Sequence, residues 1–258
     1  MFRDPEARLN KQFAMMFGLN VEEIDYDQPT TVAEVFDKIR KWEPEPEGIT
    51  HGVFADSLAA LSTEMELEEK DGMGMRRAKE FSEEMRKSCR IIANKGFLVV
   101  CSNQLRQRAN APAFSDPYKT PGGEAIGFYS SLRLRCKKPE EIKKKIMIAK
   151  KEVVRTIGVN TSIKVTKSSI WEPFHSADLI IMFDYGIDDI RANLFFIKQM
   201  TGSEKYGLLK KQLADSIDKA CKVVEHDGLE QQLREDTIDL WEEIEKKFKQ
   251  VRKPKERL

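Results

Sequence analysis

The chain has 258 residues, 40% hydrophobic and 34% charged, with Lys+Arg 44 and Asp+Glu 43 for a net charge of +1. That length and apolar fraction suit one large domain, or one core with a small appendage, and exclude a disordered chain. Near-neutral charge excludes a globally basic nucleic-acid coat but leaves room for a local basic groove. No run of about 18 apolar residues occurs, so no membrane span is predicted. Met1-Phe2-Arg3-Asp4-Pro5-Glu6 lacks a signal-peptide apolar region, so the expected location is cytoplasmic.

Leu9, Phe13, Met16 and Phe17 fall at helical spacing and stop at Gly18, which predicts a helix. Asp27-Gln28-Pro29-Thr30-Thr31 is a loop able to cap the next helix, Val32 to Trp42, which the run Glu43-Pro44-Glu45-Pro46-Glu47-Gly48 breaks. Gly52-Val53-Phe54-Ala55-Asp56-Ser57 reads as a buried parallel strand delivering a carboxylate at its C-terminal end. Residues 75–95 are helical, with Phe81, Met85, Cys89 and Ile92 on one face. Gly96 to Gln104 reads as a second buried strand ending in polar residues. Residues 105–123, with Arg106, Arg108 and Gly122-Gly123, lack periodicity and read as a long mobile loop.

Phe128 to Arg135 alternates and predicts a strand, as do Glu152 to Ile157 and Ile163 to Lys167, with a turn near Val159-Asn160-Thr161. The Lys-rich segment 137–151 reads as a solvated connection. From about residue 187 the chain is mainly helical. Leu208, Leu209, Leu213, Ile217 and Ala220 form one stripe, and Ile238, Trp241, Ile244, Phe248 and Val251 a second, both read as core. The basic end, Lys246 to Arg257, reads as a solvated helix end with a frayed tail.

Cys89, Cys101, Cys136 and Cys221 are scattered without a C-x-x-C, which predicts reduced thiols. His51, His175 and His226 are far apart, which argues against zinc and gives a Ser/His/Asp hydrolase weak support.

Strands ending in Asp56-Ser57 and Asn103-Gln104 place polar groups at the carboxyl edge of a parallel sheet, where open α/β sheets bind ligands. An apolar strand followed by Asp is the form of an element that holds a nucleotide's Mg²⁺, usually through water. Such a site needs a phosphate cradle, G-x-x-x-x-G-K-[ST]. The nearest match, Gly122-x-x-x-x-Gly127, is followed by Phe128-Tyr129, and no Gly-Lys dipeptide occurs in the sequence.

At this point an ordered series of segments resembles the RecA recombinase family, in particular its phage-type members. The segments are Asp4-Pro5-Glu6-Ala7-Arg8-Leu9, Asp27-Gln28-Pro29, Asp56-Ser57-Leu58-Ala59-Ala60-Leu61, Phe81 to Lys87 and Asn103-Gln104-Leu105-Arg106. Pro121-Gly122-Gly123, Phe128 to Arg133, and Ile163 to Lys167 with Pro173-Phe174 follow. The likeness covers roughly residues 1–186 and is loose beyond. It implies an α/β, RecA-like P-loop ATPase core with a mostly parallel sheet, lacking its first strand–P-loop–helix unit, at residues 1–186. A small, mainly helical C-terminal domain is expected at 187–258.

The resemblance also implies roles. Glu6 orients the attacking water; Asn10 and Phe13 meet adenine; Asp56 holds Mg²⁺ through water, and Ser57 beside it belongs to the ATP-binding residues. Gln104 senses the γ-phosphate and couples to a DNA loop at 105–121, with a first DNA loop at 68–75, which contains Gly72 and Gly74. Ser82, Arg86, Arg106, Gly122 and Gly123 contact the DNA backbone, Arg by charge and Gly by letting N–H groups approach phosphates. Phe128 is a subunit-interface aromatic, and Lys167 reaches ATP on a neighbouring subunit. Ser169 stands where many members carry a second such lysine, and the end is basic where many bacterial members are acidic.

The implied cofactors are ATP and Mg²⁺. The implied partners are single- and double-stranded DNA, and a homo-oligomeric filament or a complementary N-terminal fragment. ATP-dependent strand exchange in homologous recombination and DNA repair is the expected function, with this chain as the C-terminal portion and inactive alone. The alternative is a non-hydrolysing DNA-binding or filament-modulating module. A hexameric helicase or clock-type ATPase shares the strand-Asp element but fits the Asn103-to-Arg106 and Gly122-Gly123 segments less well.

Overall fold

The computed structural model describes residues 1–46, 48–63, 66, 75–108, 114, 116–249 and 251–252. These fall into two compact units, Met1–Arg133 with Lys167–Glu172, and Leu134–Thr166 with Pro173–Leu258. Among the described residues no helix is long and apolar enough to cross a membrane.

The first unit holds a four-stranded sheet of β1 (Phe2–Arg3), β2 (Tyr26–Asp27), β3 (Gly52–Ala55) and β4 (Leu98–Cys101), in the order β2-β1-β3-β4. All three pairings are parallel, with Arg3 opposite both Asp27 and Ala55, and Ala55 opposite Cys101. Every strand therefore ends at the same edge, where Asp4, Asp56 and Ser102 follow. Helices α1 (Lys11–Met16), α2 (Val32–Lys41), α3 (Met75–Asn94) and α4 (Glu124–Tyr129) complete the unit.

Local chemistry sets α2. Thr31 Oγ1 accepts from the Glu34 N–H while the Glu34 carboxylate accepts from the Thr31 N–H, a reciprocal cap at the loop expected to supply one. At the other end Lys95 Nζ donates to the carbonyls of Arg40 (3.0 Å) and Trp42 (2.8 Å). The apolar face of α2, Val32, Val35, Phe36 and Ile39, packs with Val53, Leu61 and the fully buried Phe81 of α3.

Beside that core the Arg40 guanidinium of α2 pairs with the buried Glu84 of α3, which also accepts from Lys87 at 2.8 Å. Burial pushes the Glu84 carboxyl up, but hydrogen bonds from Lys87 and Arg40 outweigh it and hold the carboxyl below its ordinary value. Among the described residues strand β4 is one of the two edges of this sheet, and its apolar Leu98 and Val100 are exposed. Parallel strands are usually buried on both faces, so such an edge is a template for another strand.

The second sheet contains β7 (Leu132–Cys136), β8 (Glu140–Ile148), β9 (Lys151–Ser168), β10 (Ser176–Met182) and β11 (Gly186–Ile187). Its order is β11-β10-β9-β7, with β8 also on β9, and the pairs β8–β9, β9–β10 and β10–β11 are antiparallel. The expected parallel sheet with helices is present in the first unit, and the pairs β8–β9, β9–β10 and β10–β11 add an antiparallel sheet to it.

In the second unit, α5 (Asp189–Thr201), α6 (Ile217–Asp227) and α7 (Glu230–Phe248) pack with a two-strand hairpin, β12 (Tyr206–Gly207) and β13 (Gln212–Ala214). Ile190, Leu194, Ile197, Leu208, Val224 and Leu233 form its core.

Other local expectations change as well. Phe128 and Tyr129 end helix α4 rather than start a strand, because α4 buries Ile126 in the core that holds Phe81; the alternation belongs to β7, Leu132–Cys136. The turn expected at Val159-Asn160-Thr161 is absent. Strand β9 runs through it for 18 residues, Asn160 pairs with Ile180, and Thr161 Oγ1 donates to the Lys137 carbonyl at 2.8 Å. Gly158 lies inside this strand where β10 approaches closely: a Cβ there would sit 2.6 Å from the Ile181 oxygen.

The Lys-rich connection is a β-hairpin arm, turning at Ala149-Lys150, both with positive φ (47° and 66°). Two-residue turns of this kind favour Asn-Gly. Replacing Ala149-Lys150 with Asn-Gly is expected to stabilise the arm by roughly 1 kcal/mol, read as a higher urea midpoint. In the stripe read from Ile238 to Val251, Ile238, Trp241, Phe248 and Val251 are exposed, and Leu233 is the residue of α7 that is fully buried.

Candidate functional site

The carboxyl edge of the parallel sheet gathers the polar residues. Asp4, buried just after β1, accepts from the N–H groups of Arg8 and Leu9 and from the Tyr26 hydroxyl, each at 2.9 Å. Those three bonds close the turn that presents Glu6. The Ser57 hydroxyl, buried just after β3, donates to Glu6 Oε1 at 2.7 Å, and Glu6 Oε2 pairs with Arg8 at 2.9 Å. Glu6 is therefore held at the sheet edge by a residue that follows the adjacent strand.

Asp56 is exposed and accepts from the Ser102 hydroxyl at the end of β4. Its backbone N–H is tied to the Arg3 carbonyl (3.0 Å), and the Ser102 N–H to the Ala55 carbonyl (3.0 Å). Asn103 Nδ2 donates to the Pro121 carbonyl at 3.1 Å, so the two ends of segment 104–120 meet beside the sheet edge. Gln104 follows Asn103 and is exposed. Asp56 offers an oxygen donor of the kind Mg²⁺ takes, and its exposure fits a water-mediated ion. These residues contribute no lysine of a phosphate cradle.

Phe13 is 51% exposed. It sits in α1, whose N-terminus is capped by Asn10 Oδ1 accepting from the Phe13 N–H at 2.9 Å, and its ring meets Phe17 edge-on at 5.0 Å. Asn10, Gln12, Phe13 and Met16 line a shallow concavity, so an apolar ring face and a polar amide are presented together.

Ser82 and Arg86 lie four residues apart on α3 and are both exposed, on the side opposite Phe81, Glu84 and Ser88. Gly122 and Gly123 pack against that helix: an added Cβ would lie 3.0 Å from the Phe81 ring at Gly122, and 2.8 Å from Ala78 Cβ at Gly123. The segment read as a structureless loop is drawn together by β5 (Arg106–Gln107) pairing β6 (Tyr118–Lys119), with Arg106 opposite Lys119. Residues 109–113 and 115, within the expected second DNA loop, and 68–74 of the first lie outside the described residues.

Lys167 Nζ donates to the carbonyls of Gly127 (3.0 Å) and Phe128 (2.7 Å), closing the C-terminal end of α4. Reaching a nucleotide on another subunit means giving up those bonds. Phe128 itself is 75% exposed.

Sequence reasoning missed Asp4, Ser102 and Arg77. Asp4 and Ser102 each follow a strand directly, a signal that could have found them. Arg77 donates to the Leu58 and Ala59 carbonyls. Burial first, and the like charge of Arg106 to a smaller extent, pull its guanidinium below the ordinary pKa, against the pull of Glu66.

A family model described as RecA N-terminal domain matches residues 1–188. Protein RecA of Acholeplasma laidlawii is 27% identical over 257 residues, covering 96% of this chain and 70% of that protein. Protein RecA of Bacillus subtilis is 31% identical over 189 residues, covering 72% of this chain and 51% of that protein. Staphylococcus aureus Protein RecA is 31% identical over 195 residues, with the same coverage of 72% and 51%.

Proposed function

Since the chain belongs to the RecA family of recombination and repair proteins, we propose that it supplies the water-activating, metal-holding and DNA-contacting parts of an ATPase that drives strand exchange on single-stranded DNA. The observation that carries this reading is the bond from Ser57 to Glu6 across adjacent parallel strands, beside Asp56. Glu6 accepts a hydrogen bond from the attacking water and aligns it; Asp56 is the residue that would hold Mg²⁺. Mg-ATP, when bound, supplies the γ-phosphoryl group and the charge that Mg²⁺ offsets. Phe13 and Asn10 receive the adenine.

Gln104 connects the phosphate end to the segment running from Arg106 to Gly123, and Ser82, Arg86, Arg106 and the two glycines receive the DNA backbone. In a homo-oligomeric filament Phe128 is an interface residue and Lys167 exchanges its α4 carbonyls for a neighbour's nucleotide. The family match ends at residue 188, which supports a functional boundary near residues 186 and 187.

The phosphate cradle comes from a P-loop-bearing segment outside these 258 residues. A parallel strand added to the open edge of β4 would end beside Ser102 and Asp56, where the triphosphate is needed. The experiment mixes the chain with a fragment carrying G-x-x-x-x-G-K-[ST] and measures phosphate release with and without single-stranded DNA. DNA-stimulated ATPase is the expected result, and its absence rejects this reading. A second reading, a DNA-binding or filament-modulating module without turnover, is favoured by the lack of any Gly-Lys dipeptide in the sequence. Under it the mixture binds DNA but releases no phosphate.

A further inference from the structure

The arm formed by β8 and β9 sorts its charges by face. Directly opposed residues of an antiparallel pair share a face, and successive pairs alternate. One face carries Lys143 opposite Thr156, Lys145 opposite Val154 and Met147 opposite Glu152. Its cations are neutralised: Lys143 pairs with Glu141 at 3.0 Å and Lys145 with Glu152 at 3.2 Å. The other face carries Lys144 opposite Arg155, Ile146 opposite Val153 and Ile148 opposite Lys151.

On this second face like charges stand directly across the ladder, an arrangement that is unfavourable without an external anion. Lys144, Lys151 and Arg155 form no ion pair among the described residues. The acid that shares their face is Glu140, four residues from Lys144 and so about 13 Å along the strand. Between the cations runs an apolar stripe, with Ile146 and Ile148 exposed at 44% and 53%.

We propose that this second face of the arm is a binding surface for duplex DNA, separate from the contacts assigned to α3 and segment 106–123. A two-stranded ribbon fits the major groove, about 12 Å wide. There Lys144, Arg155 and Lys151 reach phosphates on the groove walls, while Ile146, Val153 and Ile148 face base edges and thymine methyl groups. The inference extends the DNA-binding part of the proposed function but needs neither ATP nor the phosphate cradle.

The test uses the full chain, without nucleotide, and fluorescence anisotropy of a labelled duplex over a range of salt. Each phosphate contact contributes about 0.9 to the slope of log affinity against log salt. The combined K144Q, K151Q and R155Q variant is therefore expected to make the slope shallower by about 2 to 3 and to weaken binding at least about tenfold. The combined K143Q and K145Q variant, on the paired face, leaves the slope unchanged. Equal loss from both faces, or no loss from the first, overturns the proposal. So does binding of the arm to phosphatidylserine vesicles with no binding to duplex.

Arg106→Gln, measured on labelled single-stranded DNA, separates the two readings. If it leaves single-strand affinity intact, the role given to Arg106 above fails while the arm's salt slope stands.

Discussion

Glu6→Gln is expected to lower DNA-stimulated ATP turnover of the completed enzyme by about 10²- to 10⁴-fold, the range a positioned general base contributes. The amide keeps the shape of the carboxylate and can still accept the Ser57 hydroxyl through its oxygen. What it loses is the negative charge that draws a proton of the attacking water. Glu6 lies on a turn closed by three bonds to the buried Asp4, so the substitution leaves the sheet edge in place. Nucleotide affinity and single-strand affinity should stay within about twofold, because neither uses the Glu6 charge in the ground state. Phosphate release measures the first quantity and anisotropy the second. Turnover within a few-fold of the parent would make Glu6 a structural partner of Ser57 and Arg8 and nothing more.

Gly122→Ala is expected to destabilise the first unit by about 2–4 kcal/mol and to weaken single-strand binding with it. Two effects add. Gly122 has φ +88°, where an L side chain is strained. Its new Cβ would lie 2.5 Å from Ile126 Cδ1 and 3.0 Å from the Phe81 ring. Ile126 Cδ1 is the end of a side chain and can swing, but Phe81 is fully buried between α2 and the sheet residues of the core and cannot yield. Accommodation therefore pushes residues 121–123 off α3, beside the carbonyl of Pro121 that Asn103 holds. The urea midpoint reads the stability, and anisotropy the DNA affinity. Unchanged stability with lost DNA binding would mean that Gly122 serves the phosphate contact alone and not the packing.

Several elements of the fold and site were legible along the chain because their causes are local. A reciprocal Thr31–Glu34 cap and a clean apolar stripe make α2 readable. A short apolar run closed by Asp56-Ser57 makes β3 readable. The stretch from Phe81 to Lys87 is readable because its buried and exposed sides follow helical spacing. The same rules failed where two periods overlap or where a partner decides. Alternation from Phe128 to Arg135 hid the end of a helix that buries Ile126. Asn160-Thr161 carries turn chemistry, yet β10 pairs with it and the Lys137 carbonyl takes the Thr161 hydroxyl. Ile238 and Trp241 keep core-like spacing while remaining exposed.

Strand β1 marks the boundary between the two kinds of information. Phe2-Arg3 is too short to carry a periodic signal, yet it is paired on both sides, and the buried Arg3 is held by Asp25 at 3.0 Å. The sequence by itself determined the residue inventory of the site, the family to which its ordered segments point, and the lack of a Gly-Lys phosphate cradle within these residues. Those depend on residue type and local order. The tertiary structure alone decided that Ser57 meets Glu6, that Lys167 caps α4, and that the lysines of residues 143–151 divide into a neutralised face and an unpaired one. Each of those depends on strand register or on a contact between residues distant in sequence, and a one-residue slip in register moves every side chain to the opposite face.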